Sequence, residues 1–187
     1  MLSELDRFLA RHRPDAVQVV EWGTAASPIP LRIAGYLSQE LPPLEYITSV
    51  RGVVFCEDRV LVMRNRDEVH VLPGGRREDG ETLVDTLKRE LLEEAGWTLD
   101  VKEMLGFLHL RHLGPKPVGS PPGIPSLYPD FAHVVYLADA VEHKPGARLP
   151  SDYEVEAALR TVSEARELGA ILAGRPFLEE AVRCRSG

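Results

Sequence analysis

Three glutamates, Glu90, Glu93 and Glu94, crowd into little more than one turn of a segment whose spacing predicts a helix. Like charges three or four residues apart on a helix repel, at roughly 0.2–0.5 kcal/mol per pair. Their presence in the stretch GGRREDGETLVDTLKRELLEEAGW, residues 74 to 97, therefore points to something that offsets the repulsion. Taken alone, a Glu-Glu pair on a helix is ordinarily a solvated face. Carboxylates at the rim of a buried face, however, converge on a partly desolvated point, where oxygen ligands suit Mg²⁺ or Mn²⁺. Arg89 lies four residues before Glu93 and can pair with it, fixing a ligand's orientation. Gly74 and Gly75 let the backbone approach closely, and a carbonyl there can add another oxygen.

These residues must be positioned by the elements around them. Thr82 followed by Asp85 gives a capping start, and Gly96 a left-handed stop, so a helix is expected from about Thr82 to Ala95. At 100° per residue Leu83, Val84, Leu87, Leu91 and Ala95 share one arc that can face a sheet. Glu90 and Glu94 lie at the edge of that arc, with Glu93 one step further round. Upstream, ITSVRGVVF and RVLVMR read as strands of a hairpin turning at CED, and the turn LPGG leads into the helix. Downstream, VKEMLGFLHLRHL and FAHVVYLADAV read as strands. YEVEAALRTVSEARELGAIL reads as a short strand or turn leading into a helix, and FLEEAVRC as a last helix. Residues 114–130 contain six prolines and three glycines and are expected to be a loop that shapes a binding site. At the other end, Leu2, Leu5, Phe8 and Leu9 predict a helix over residues 2–12, closed before Pro14. The apolar runs that follow it do not resolve into one element type. The expected division is an N-terminal extension, 1–45, and a layered α/β domain, 46–187.

The chain has 187 residues, 44% of them apolar and 27% charged, which is the balance of a globular protein. A net charge of −7 gives no basic face for a nucleic-acid backbone, so no long nucleic acid is expected as partner, whereas a small anionic ligand can be accommodated through a metal. Two cysteines, the lack of a signal-like start and the lack of a long apolar run point to a cytoplasmic protein with no membrane partner.

The spacing Gly75, Glu81, Arg89, Glu90, Leu91, Glu93, Glu94, Gly96 matches the Nudix box at each of its fixed positions. The sequence resembles the Nudix (MutT-like) hydrolases over about residues 46–175. The resemblance implies an α/β/α sandwich with a mixed central sheet, and hydrolysis of a pyrophosphate bond in a nucleoside diphosphate derivative or nucleoside triphosphate. It also implies that Glu90, Glu93 and Glu94 bind divalent cations, Mg²⁺ or Mn²⁺, with the Gly75 carbonyl, while Arg89 and Glu81 support them. Two positions depart from the pattern: Trp97 stands where an aliphatic residue is usual, and His70 where an aromatic often precedes the turn. His112 stands where ADP-ribose-type members tend to have proline, and the coenzyme A pattern is absent, so the substrate stays open. The alternative reading is a Nudix-like sensor that binds a nucleotide without cleaving it.

Arg64, Arg66 and Arg76 flank the LPGG turn and are candidates for substrate phosphate. Glu142, Asp152, Glu154 and Glu156 are candidates for an additional acidic group, with Glu154 and Glu156 favoured. His109 and His112, three apart on a strand, point to opposite faces and do not suit a shared metal. His133 and Tyr136 fit core or rim positions, and residues 15–45 fit contacts in a homodimer or added strands.

Overall fold

A computed structural model describes residues 2–24, 27–65, 69–116, 127–149, 154–168 and 172–186. Among these, eight strands form one mixed sheet in the order β1-β2-β6-β7-β3-β4-β5, with β8 paired to β4. The strands are β1 (Ala16–Thr24), β2 (Ser27–Leu37), β3 (Ile47–Cys56), β4 (Arg59–Asn65), β5 (Val69–His70), β6 (Trp97–His112), β7 (Asp130–His143) and β8 (Glu154–Thr161). The helices are α1 (Glu4–Leu9), α2 (Leu83–Ala95), α3 (Val162–Glu167) and α4 (Arg175–Ser186). Only β3 and β7 pair in parallel; the neighbouring strands run antiparallel, and the sheet curls where β4 takes β3, β5 and β8 as partners. The outcome is the mixed α/β layering that the sequence predicts.

Period-two alternation divides the sheet into two apolar faces. Val50 and Val54 of β3, Leu61 and Met63 of β4 and Ala138 of β7 pack with Leu87, Leu91 and Ala95 of α2. Val53 and Phe55, Val60 and Val62, and Val135 and Leu137 point the other way, into a cluster with Phe177, Leu178 and Ala181 of α4. Leu87 and Leu91 are fully buried, and each such side chain contributes about 1.5–3 kcal/mol. These contacts hold α2 flat on the sheet and leave its polar edge beside the LPGG turn.

The N-terminal residues join this frame. β1 and β2 form a hairpin whose second strand pairs with β6, and α1 packs Leu5 and Phe8 onto Tyr36 and Phe107. α1 is shorter than the 2–12 pattern predicts, ending at Leu9 well before Pro14. β6 is longer than predicted: it starts at Trp97, directly after the α2 cap. No helix among the described residues is long and apolar enough to cross a membrane.

Candidate active site

α2 is closed by local chemistry at both ends. The Thr82 hydroxyl accepts from the Asp85 amide at 3.1 Å, and Gly96, at φ 72°, adopts the left-handed cap and donates to Leu92. The segment after β7 fastens to the same end, with Lys144 N–H donating to the Gly96 carbonyl and Leu149 N–H to Glu93.

The turn before the helix is pinned to β3. Gly52 N–H donates to the Pro73 carbonyl, Val50 N–H to the Gly75 carbonyl and Arg77 N–H to Thr48, at 2.9, 2.9 and 3.0 Å. Gly74 has φ 125°, and a Cβ there would lie 2.3 Å from the Val50 carbonyl oxygen, so only glycine fits. At Gly75 the obstacle is different. A Cβ would meet the Glu90 carboxylate at 2.3 Å, so that carboxylate lies directly over the glycine.

Arg89 organises the acidic residues. Its Nε donates to Glu81 Oε1 at 2.6 Å, Nη2 to Glu81 Oε2 at 3.1 Å and to the Arg76 carbonyl at 2.8 Å, and Nη1 to Glu90 Oε1 at 3.1 Å and Glu93 Oε2 at 3.2 Å. Those contacts use every donor that a guanidinium has. Glu81 is heavily committed as well, since its Oε2 also accepts from the Thr86 hydroxyl and the Glu78 amide. Arg89 beside it holds the Glu81 carboxyl at about 2, and Glu81 in turn raises Arg89 above its ordinary value. Glu90 behaves differently: burial pushes its carboxyl up, and Arg89 only partly offsets that. Glu94 is half-buried on the next turn.

The donor set fits a divalent cation. Arg89 takes one oxygen from each of Glu90 and Glu93, and among the described residues the second oxygen of each carries no hydrogen bond. The Gly75 carbonyl, one lone pair given to Val50, retains another. These are hard oxygen donors of the kind Mg²⁺ and Mn²⁺ take, and the desolvated Glu90 carboxylate is an anion that a cation would stabilise. As they stand, no group of three or more His, Cys, Asp or Glu side chains among the described residues is drawn together tightly enough to cage an ion.

The other sequence candidates separate. Arg76 is exposed, directly after the glycines, and its backbone bridges Ser49 of β3. Arg64 is exposed and pairs with Glu156 on β8, Nη2 to Oε2 at 2.9 Å, so these two candidates meet each other. Arg66, Asp152 and the Glu154 side chain lie outside the described residues, as does the middle of the Pro-rich loop, 117–126. Glu142 is exposed and pairs with Lys144. His109 is buried and bonded to Asp130 at 2.7 Å, while His112 lies near the Tyr128 and Phe131 rings.

Arg51 joins the site without a motif or spacing that marks it. It lies on β3, half-buried, and its Nη1 donates to the Gly74 carbonyl, where its charge acts on both Glu90 and His133. The signal was available: an arginine interrupts the apolar run ITSVRGVVF.

A family model described as the NUDIX domain matches residues 46–181. A Bacillus subtilis (strain 168) protein, YjhB, provisionally named an ADP-ribose pyrophosphatase, is 35% identical over 71 residues, which is 36% of this chain and only 34% of that protein. A solved NUDIX hydrolase from Nitrosomonas europaea superposes with a TM-score of 0.54 at 19% identity, over 74% of this chain and 90% of that one. A solved Bacillus subtilis pyrophosphohydrolase superposes with a TM-score of 0.56 at 17% identity, over 90% of this chain and 98% of that one. At these identities the structural matches speak for the fold.

Proposed function

Because this chain belongs to the Nudix hydrolase family, we propose that it hydrolyses the pyrophosphate bond of a nucleoside diphosphate derivative or nucleoside triphosphate, with Mg²⁺ or Mn²⁺ as cofactor. The observation that carries this reading is the Arg89 hub, which holds Glu90 and Glu93 by one oxygen each and, among the described residues, leaves the other of each uncommitted. Glu90, Glu93 and Glu94, with the Gly75 carbonyl, would hold the cation. When bound, the cation would neutralise phosphate charge and polarise a water for attack on phosphorus.

The chain's own residues supply the positioning. Arg89 fixes the rotamers of Glu81, Glu90 and Glu93 together, so the carboxylates are aimed before substrate arrives. Glu81 gives both of its oxygens to Arg89 and acts by holding it. Arg51 and Arg76 stand beside the glycine turn, where their charge meets phosphate oxygens. Gly74 and Gly75 allow a phosphate to approach the backbone without a side chain in the way. The acidic chain as a whole repels a long polyanion, so a small substrate is favoured over capped RNA. The name of the Bacillus subtilis relative falls in this substrate class.

The test is a phosphate-release screen over dinucleotides, nucleotide sugars, triphosphates and capped RNA, with Mg²⁺ and after exhaustive chelation. Turnover is expected only with the metal, and Glu93→Gln and Glu94→Gln each lower kcat about a hundredfold or more with the fold retained. Normal turnover by both variants, or turnover that survives chelation, overturns the reading.

A further inference from the structure

A row of rings crosses the sheet face opposite α2 and ends at the glycine turn. Phe131 and His133 are two apart on β7 and so share a face, with ring centroids 5.6 Å apart. Phe131 pairs in register with Leu110 of β6, and His112, two residues on, projects from the same face with its ring 5.6 Å from Phe131. Tyr128 extends the row, 5.5 Å from His112; the residue is 43% exposed, its hydroxyl anchored on the Gly114 carbonyl. The row thus rises from buried His133 to a ring open to solvent.

Its inner end leads to the hydrolytic residues. His133 is the register partner of Ser49, and Ser49 bridges the backbone of Arg76, whose carbonyl receives Arg89. Arg51 and Arg76 both act electrostatically on His133, and with burial they keep its imidazole neutral. Arg51, whose charge reaches both His133 and Glu90, and Arg76, whose charge reaches His133, therefore join the ring row to the acidic end. That sequence of chemistry, π-surface, cations and then acidic oxygens, is the complement of a nucleotide: base, phosphate and the bond to be cut.

We propose that Tyr128, His112 and Phe131 seat the nucleobase of the substrate, with Arg51 and Arg76 receiving the phosphates between that seat and Glu90. This rests on the hydrolase reading above for the identity of the acidic end. Recognition by ring faces is tolerant of base identity, because every base has a π-face, and larger purines stack over more area than pyrimidines. The enzyme is then selective for the presence of a base and permissive about which one.

The experiment measures calorimetric binding of ADP and of inorganic pyrophosphate, each with Mg²⁺, to wild type, Tyr128→Leu, Tyr128→Phe and Phe131→Leu. ADP is expected to bind wild type more tightly than pyrophosphate. Tyr128→Leu and Phe131→Leu weaken ADP roughly tenfold and leave pyrophosphate unchanged, while Tyr128→Phe keeps wild-type affinity because the ring rather than the hydroxyl is used. Tyr128 is at the surface, so its variants keep the fold even where Phe131→Leu loosens it. ADP binding no tighter than pyrophosphate in wild type, or ADP affinity unaffected by Tyr128→Leu, overturns the proposal. Absence of hydrolysis with ring-dependent ADP binding intact would instead refute the hydrolase reading and leave the seat standing.

Discussion

α2 and α4 lie on opposite faces of one sheet, each burying an apolar stripe and each carrying arginine–glutamate pairs, yet the pairs do different things. On α4 the arginines are at the surface: Arg183, 71% exposed, pairs with a half-buried Glu180 one turn away, and Glu179 receives Arg166 of α3 at 2.7 Å. Exposed pairs of this kind gain little over solvation and are screened by salt. On α2 the Arg89 side chain is 23% exposed and that of Glu90 13%, and one cation serves Glu81, Glu90, Glu93 and a backbone carbonyl. In that lower dielectric each lost partner is felt by the others. The same residue types give a solvated helix face in one place and a preorganised anionic site in the other; what differs is how much water reaches them.

The sharpest way to break this contrast is to remove the hub. Arg89→Met strands two partly buried carboxylates and takes the cation from Glu81, and is expected to cost about 3 kcal/mol in urea unfolding at pH 7 without metal. Arg183→Met, its counterpart on α4, is expected to leave the urea midpoint unchanged. Arg89→Lys should rescue little of the loss, since an ammonium has too few donors, in the wrong geometry, to replace the fork. Equal midpoints for Arg89→Met and wild type would show that the α2 network is as solvated as that of α4.

Acid sharpens the same contrast at a smaller scale. Glu81, ordinarily near 4.5, is held at about 2 by Arg89. A depressed carboxyl contributes stability that is full above 4.5 and is lost as pH falls through 2. Wild type at pH 3 should accordingly have lost on the order of 2 kcal/mol relative to neutral pH through this group. In Arg89→Met that part of the slope between pH 4.5 and 2 should disappear; a slope identical to wild type would assign the acid sensitivity elsewhere. Glu90 has the opposite sign. Its raised carboxyl favours the folded state at low pH and disfavours it as pH rises through its folded value, and a bound divalent cation reverses that preference.

The smallest effect on stability is expected at Gly75. The atoms nearest its added Cβ are the movable end of Glu90, so Gly75→Ala should shift stability by about 1 kcal/mol or less while displacing the carboxylate and lowering kcat. Gly74→Ala meets backbone at a positive φ and should lose more stability. Activity retained in Gly75→Ala would show that Glu90 does not need its place over the turn.

What the sequence disclosed and what it withheld follow from the range of the interactions. The caps of α2, its buried stripe and the Arg89–Glu93 pair are set within a few residues, and periodicity reads them directly. The β3–β4 hairpin is local too, turning at Glu57 with φ 56°. The Arg89 contacts to Glu81 and Arg76 reach eight and thirteen residues back and depend on the path of the glycine turn. Nothing periodic marks that path. The joining of β2 to β6, and of β8 to β4, is a choice of partner across the chain that alternation within one strand does not encode. Arg51 shows the intermediate case, a visible interruption of an apolar strand whose purpose needed the turn beside it.

The three backbone bonds between the turn and β3 also govern which changes in length the chain can tolerate. β3 gives one edge of its first half to residues 73–77 and the other to β7. An inserted or deleted residue there would slip the strand by one position, exchange its two faces and unhook the turn in the same step. Loops elsewhere can lengthen at modest entropic cost. Between Thr48 and Gly52 the chain has no spare residue, because the same few peptide units set the register of the sheet and the height of the carboxylates above it.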